Sequence, residues 1–382
     1  MSYSSAFKTR TEIIQKKNLD PPNIFPIALD IGYSAVKGFS PGSVFCFPSF
    51  AKVKTTEVIG TPKPSDILYK GEDGVEYVVG SMAVDSISSK DTNEATNTLY
   101  NRNRYFSPTF LIIARVGMAI GMTYGQRMGK EMFLQTGLPP AYRKADTPLL
   151  VEALSGRHRF SVKIGFRKWQ TFDFELPATN ISVIDQPIGS VYSASKAADG
   201  STVTGENGKP YIDSKLLVLD GGFGTLDMFS IINRAIDGTN TFNDLGMKAV
   251  FEHTVDDIFT NYGKEIHVHT IQKYLESGKI SVLNRKTKST AEYDLGELLE
   301  KNNRLVCETA MERIESAYND LEDYEYLLVT GGTGAAWLDM IKERYKNMSS
   351  LKIITGNQNE DLDHIYSNVR GYYIFRALKA MH

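Results

Sequence analysis

Three short glycine-bearing turns carry the residue types that handle phosphate. The first reads Asp30-Ile31-Gly32-Tyr33-Ser34-Ala35-Val36-Lys37 and follows an apolar run over 24–29. A tight turn after a strand exposes successive backbone N–H groups that can wrap an anion, and Gly32 lets the backbone come close. Ser34 adds a hydroxyl donor, Lys37 a cation suited to β- and γ-phosphates, and Asp30 a carboxylate for a metal ion or its water. The second reads Asp220-Gly221-Gly222-Phe223-Gly224-Thr225-Leu226-Asp227, again after an apolar strand. Two such turns facing each other can clamp a triphosphate, with Asp30 and Asp220 flanking one Mg²⁺, an ion that prefers few carboxylates completed by water and phosphate oxygens. The third, Thr330-Gly331-Gly332-Thr333-Gly334, joins a strand to a helix; its glycines let a flat group lie against backbone, and the helix N-terminus favours nearby phosphate. Each turn alone is equally well a hairpin. Their occurrence together, each after an apolar strand, points to a nucleotide. Neither a G-x-x-x-x-G-K-[ST] run nor a G-x-G-x-x-G fingerprint occurs.

Other reactive residues form no such pattern. Cys46 and Cys307 are the only thiols; they cannot build a disulfide framework, fit a reducing cytoplasm and read as buried structural residues. His267 and His269 would share a side on a strand, as a metal pair could, but no third ligand is apparent. The acidic run at 359–363 reads as a solvated loop. No Ser-His-Asp or Cys-His arrangement can be placed.

The elements that must position these turns follow from pattern. Residues 24–39 read as strand, turn, strand, and 216–231 repeat that design. Residues 76–80 suggest a strand in a loop-rich stretch, 108–128 a helix with a broad buried face, and 133–140 a strand running into a Gly-Leu-Pro-Pro turn. Segments 160–166 and 171–184 alternate like paired strands. A helix is expected from Gly189, another after the turn at 330–334, and a last one over 368–382; 247–315 read as mainly helical with a β excursion near 280–293. Ahead of Pro21-Pro22 lies a polar leader, a flexible or docked tail in which Phe7, Ile13, Ile14 and Leu19 could line a short helix. The 382 residues suggest two to four domains or subdomains. At 42% hydrophobic and 23% charged, the composition excludes a disordered or fibrous chain. A net charge of −2 gives no global attraction to DNA or acidic membranes. The longest apolar stretch, 110–122, is interrupted by Arg115 and falls short of the ~20 residues a span needs.

These motifs resemble a known superfamily, the actin, chaperone and sugar-kinase ATPases: the first turn its phosphate-1 motif, the second its phosphate-2 motif, and Val329–Gly334 its adenosine motif. Residues 184–194 and 368–378 are similar to its two connecting helices. Val-Val-Gly-Ser-Met-Ala (78–83), Leu-Gln-Thr-Gly-Leu-Pro-Pro-Ala-Tyr (134–142) and the Asp185–Gly189 turn resemble the ParM/StbA branch of bacterial actin-like proteins. The likeness covers most of 24–380, loosely at 52–105 and 235–315, and leaves out the leader. It implies an α/β, actin-like (ribonuclease H-like) fold of duplicated lobes around a nucleotide cleft: a tail at 1–23, a first lobe of 24–190 plus 364–382 with a small subdomain at about 50–105, and a second lobe of 191–363 with one at about 250–315. It also implies a cytoplasmic ATP hydrolase that polymerises head to tail and segregates plasmid or replicon DNA, touching DNA only through a centromere-binding adaptor and no membrane. Asp30 and Asp220 would organise Mg²⁺, and Gln186 would orient the attacking water. The backbone of Gly32, Tyr33, Ser34, Gly222, Phe223, Gly224, Thr225, Gly331, Gly332, Thr333 and Gly334, with Lys37, would hold ATP; GTP stays open, because the base and ribose contacts, among them Gln272 and Lys273, have no secure register. Tyr33 departs from the small serine of actin, and Phe223 brings neither hydroxyl nor charge. A small-molecule kinase with Asp185 as base and a non-hydrolysing actin-like scaffold are the rival readings.

Overall fold

The computed structural model describes residues 7–55, 60–86, 102–284 and 286–381, apart from the side chains of Arg102, Asn103 and His269. Two sheets of one topology form its centre. In the first, Ile24–Ile31 is buried along its whole length, pairs antiparallel with Ala35–Ser40 across the first glycine turn, and pairs parallel with Glu131–Leu138. The sheet runs Glu12–Gln15, Ser43–Pro48, Ala35–Ser40, Ile24–Ile31, Glu131–Leu138, Ile181–Asp185. In the second, Leu216–Gly221 pairs antiparallel with Leu226–Ile232 across the second glycine turn and parallel with Tyr326–Thr330. That sheet runs Ala235–Phe242, Leu226–Ile232, Leu216–Gly221, Tyr326–Thr330, Lys352–Thr355. The near-continuous apolar character of the central strands matches burial on both faces.

Helices Gln186–Ser195 and Ser367–Met381 pack against each other between the two sheets. They cross at glycines. A Cβ added to Gly371 would lie 1.6 Å from the Gly189 carbonyl oxygen, so no other residue fits there without moving the helices apart. Helix Pro108–Tyr124, capped by the Ser107 hydroxyl accepting from the Phe110 amide, covers the other face of the first sheet. A five-stranded sheet (Gln170–Leu176, Gly156–Ile164, Ile67–Lys70, Glu76–Val79, Ala51–Val53) shares the first lobe's core. Helices Met247–Tyr262, Gln272–Leu275 and Leu295–Ala317, with the ribbon Lys279–Leu283/Thr290–Asp294, extend the second. Among the described residues no helix is long and apolar enough to cross a membrane.

Several local expectations change. The alternating stretch 171–184 divides at Pro177: Gln170–Leu176 pairs with Gly156–Ile164, whereas Ile181–Asp185 joins the large sheet beside Glu131–Leu138. Beyond the Pro139-Pro140 turn the chain forms an unexpected helix, Pro140–Leu154, whose polar surface and internal Pro148 hide its period. His267 opens a 3-10 turn (Val268–Thr270) rather than lying on a strand, and among the described residues no group of three metal-ligating side chains is gathered. The run at 359–363 is not simply solvated, for Glu360 is buried between Arg370 and Lys16.

The leader differs most. Glu12–Gln15 is a strand, not a helix, and extends the first sheet at Ser43–Pro48. Before it, the Thr11 amide donates to Ser81 Oγ at 3.0 Å, the Thr9 amide donates to Gln272 Oε1 at 3.2 Å, Lys8 pairs with Glu276, and Phe7 packs on the second lobe's core. After it, the Tyr373 hydroxyl donates to the Leu19 carbonyl. Residues 7–20 therefore strap the two lobes together, and Gln272, expected at a nucleotide, is engaged by the leader.

Two outcomes follow from these contacts. Gly371→Ala should destabilise the protein by at least about 3 kcal/mol in urea unfolding, because overpacking here meets backbone and not a movable side chain; an unchanged midpoint would contradict the crossing. A chain lacking residues 1–15 should melt lower by at least about 2 °C, while an unchanged melting temperature would show the strap to contribute nothing to stability.

Candidate functional site

Both glycine turns close in the same way: the Gly32 amide donates to the Ala35 carbonyl at 3.1 Å, and the Gly222 amide donates to the Thr225 carbonyl at 2.9 Å. Each turn therefore places its acid two residues before the closing glycine and an aromatic residue just after it, Tyr33 in one and Phe223 in the other. Asp30 and Asp220 end the central strands of the two sheets and are 5% and 1% exposed. Lys37, directly across the ladder from Asp30, donates to its Oδ2 at 3.1 Å. Burial pushes Lys37 down, but the charge and hydrogen bond of Asp30 outweigh it and raise the ammonium, which stays charged.

Asp220 faces the opposite problem. Its Oδ2 accepts from Asn368 Nδ2 at 2.7 Å, while its Oδ1 is buried with no partner. Burial first, then repulsion from Asp227 and Asp30, raises its pKa to about 7. Asp227 is itself pushed up to about 6 by burial, although the hydroxyls of Thr225 (3.0 Å) and Thr241 (2.6 Å) donate to it. A buried carboxylate oxygen without a donor is costly. A divalent cation beside Asp30 and Asp220 would supply what that oxygen lacks, so the donor set fits Mg²⁺.

The third turn abuts the second. Thr330 lies across from Asp220 in the sheet, the Thr333 hydroxyl donates to the Gly222 carbonyl at 2.6 Å, and a Cβ on Gly331 (φ 79°) would be 2.7 Å from Asp220 Oδ1. Gly331, Gly332, Thr333 and Gly334 open helix Gly331–Arg344, whose free amides face the same region. The second turn is backed by helix Met247–Tyr262: the Lys248 amide donates to the Phe223 carbonyl at 2.8 Å.

Between the first two turns lies a hollow of about 240 Å³ lined by Tyr33, Tyr142, Phe223, Gly224, Thr225, Asn243 and Lys248. Tyr33 spans it. A Cβ on Gly224 would sit 3.2 Å from Tyr33 Cδ2, so the ring reaches the facing turn rather than pointing away. Ser34 is half-buried at the rim. Gln186 begins the connecting helix, half-buried, with no side-chain hydrogen bond among the described residues. Asp185, one residue earlier, accepts from Arg143 Nε at 2.5 Å.

The motif reading passed over several residues now seen to organise the cleft. Asn368 and Ser190, from the two connecting helices, hydrogen-bond to each other, and Ser190 also meets Thr330 Oγ1 at 2.7 Å. Helix Pro140–Leu154 supplies Tyr142, whose hydroxyl donates to Asn243 Oδ1 in the second lobe at 2.7 Å, along with Arg143 and Asp146, the last accepting from the Tyr105 hydroxyl at 3.0 Å. Ser190, Asn368 and Tyr142 lie in segments whose resemblance was noted without a role for them, and the period of helix Pro140–Leu154, which would have grouped Tyr142, Arg143 and Asp146, is interrupted by Pro148.

Comparison with known proteins agrees with this architecture. Residues 28–189 match the family model described as actin like proteins N terminal domain. A non-polymerisable quadruple mutant of pCBH ParM superposes with a TM-score of 0.71 at 19% identity, over 93% of this chain and 100% of that one. A ParM from a 15-stranded filament of Clostridium botulinum gives 0.69 at 16%, over 94% and 99%. Bacillus thuringiensis ParM with ATP gives 0.58 at 15%, over 94% and 100%. No curated protein sequence matches the chain. The protein therefore has an actin-like fold, with duplicated lobes across nearly its whole length, and its residues 28–189 match the actin-like N-terminal domain.

Proposed function

We propose that this protein is an ATPase that closes its lobes on Mg-ATP and assembles head to tail into filaments that segregate plasmid or replicon DNA through an adaptor. The observation that carries the nucleotide reading is the pair of like-built turns facing each other, with Asp30 and Asp220 at their bases and one carboxylate oxygen unpaired. The backbone amides of 32–35 and 222–225 bind phosphate oxygens, and Lys37 adds charge at that end. Bound Mg²⁺ would be held by Asp30 and Asp220, directly or through water, and would neutralise charge on the phosphates. Gln186 holds a water for in-line attack, a task that needs positioning rather than a strong base. That its side chain makes no hydrogen bond among the described residues supports that role, whereas Asp185, the base a kinase would need, is committed to Arg143. Solved relatives include a ParM with ATP and a ParM filament, and both properties are extended here by proposal. A heterologous contact that does not close gives a filament, and lobe closure can set its stability.

The reading is tested by following light scattering and phosphate release together after adding Mg-ATP. Both signals should rise across micromolar protein. No scattering rise would overturn assembly, scattering without phosphate would make the protein a scaffold, and phosphate transferred to an added metabolite would make it a kinase. Gln186→Ala should slow hydrolysis by about 10²-fold or more with ATP binding retained; unchanged turnover removes Gln186 from its role. The raised pKa values of Asp220 and Asp227 mean that the folded protein holds more protons than the unfolded chain from near the ordinary aspartate value of 3.8 up to about 7. Stability of the ligand-free protein should therefore fall as pH rises through that window and level off above it. Asp220→Asn should flatten the profile, and an equally steep profile in that variant would show that Asp220 is not its source.

A further inference from the structure

Arg104 is a buried cation that pairs with no carboxylate among the described residues. It lies in the 3-10 turn Arg102–Phe106 that leads into helix Pro108–Tyr124, and is 8% exposed. Its Nη2 donates to the Ile31 carbonyl at 2.6 Å, the last carbonyl before Gly32 in the first glycine turn. Its guanidinium lies 4.4 Å from the centroid of the Tyr33 ring, with Phe110 and Tyr105 at 5.6 and 5.9 Å. Nη1 is buried with no hydrogen-bond partner, and among the described residues no carboxylate forms an ion pair with it. The support beneath is rigid: the Ser107 hydroxyl donates to the Arg104 carbonyl at 2.8 Å, and Tyr105 is anchored on Asp146. Taking a charged guanidinium out of water costs several kcal/mol when no opposite charge accompanies it. One carbonyl and three aromatic faces offset only part of that.

What this arrangement fixes is Tyr33. The ring is stacked on Arg104 and reaches Gly224 of the facing turn, so the line Arg104, Tyr33, Gly224 spans the gap between the two phosphate turns. A small residue at 33 would leave that gap open. A Cβ at 224 would press on the ring at 3.2 Å. In the second turn Phe223 packs inward on Phe251, with centroids 5.9 Å apart.

On the reading of the site as an ATPase, we infer that Arg104 is a positioning residue for hydrolysis of the nucleoside triphosphate, acting through Tyr33. By stacking on the ring and holding the Ile31 carbonyl it sets the separation at which the two turns receive the phosphate chain, and its unpaired charge adds a positive field on the first-lobe side of that chain. Its effect falls on the geometry reached during hydrolysis more than on ground-state binding, since the hydrogen bonds that close each turn, Gly32 to Ala35 and Gly222 to Thr225, do not involve it.

The test uses the full chain with Mg-ATP and four variants, Arg104→Met, Arg104→Lys, Tyr33→Ala and the double variant Arg104→Met/Tyr33→Ala. Melting temperature, ATP dissociation constant and single-turnover hydrolysis rate are measured for each. Arg104→Met should lose about tenfold or more in rate with less than about threefold change in the dissociation constant, and Arg104→Lys should recover part of the loss. Tyr33→Ala should behave like Arg104→Met, and the double variant should be no slower than the slower single one, because the two act as a unit. A rate unchanged in folded Arg104→Met or Tyr33→Ala overturns the inference, as do additive losses in the double variant or equal proportional losses in rate and binding. Should Arg104→Met fail to fold, the Arg104→Lys and Tyr33→Ala rates decide, with unchanged rates overturning it. A wild-type chain that binds no ATP overturns the ATPase reading itself. A wild type that hydrolyses while the variants keep its rate overturns only the role of Arg104.

Discussion

Two buried acids and a half-buried lysine come together where the central strands of the two sheets end, and much of the surrounding structure answers to that constraint. Taking ionisable groups out of water is unfavourable unless each is paired or hydrogen-bonded. Lys37 pairs with Asp30, Asn368 donates to one oxygen of Asp220, and the other oxygen is left without a donor. The arrangement is thus complete on the first-lobe side and incomplete on the second. A ligand-free protein relieves the imbalance with a proton, as the raised pKa of Asp220 records; a cation shared with phosphate would relieve it more fully.

The same constraint explains why the two connecting helices matter to the cleft. They carry Ser190 and Asn368, which bond to each other and reach Thr330 and Asp220. Their crossing at Gly189 and Gly371 brings backbone against backbone, so neither can shift without moving the groups that hold the acid. Under the proposed function, closure of the lobes would pivot on this crossing. Elsewhere the two lobes meet through Tyr142 and Asn243 and through the leader, both weaker and more exposed contacts. The duplication is not exact. The first turn carries Tyr33 braced by Arg104, whereas the second carries Phe223 folded into its own core.

Much of this was legible in the residues. The acids, the lysine and the glycines stand at fixed offsets after apolar strands, and fixed offsets survive in one dimension. The two strand–turn–strand units and the closing helix could be read for the same reason. Other features depend on distant segments meeting. Glu360 looks like part of a solvated acidic run until Arg370, ten residues on, and Lys16, in the leader, reach it. The leader looked like a tail because four residues of edge strand carry too short a period to separate from a helix; what makes them a strand is the open edge of Ser43–Pro48. Helix Pro140–Leu154 was hidden by its prolines, though Pro140 stands in the first turn, where proline is tolerated.

The central claim is that the two like-built turns and the third beside them close on one metal-bound triphosphate. Backbone amide hydrogen exchange, followed with nucleotide and Mg²⁺ added separately and together, tests it most directly. Amides of 32–35, 222–225 and 331–334 should slow together, and most strongly when both ligands are present. Protection of one turn alone, or protection indifferent to Mg²⁺, would contradict a shared site organised by Asp30 and Asp220.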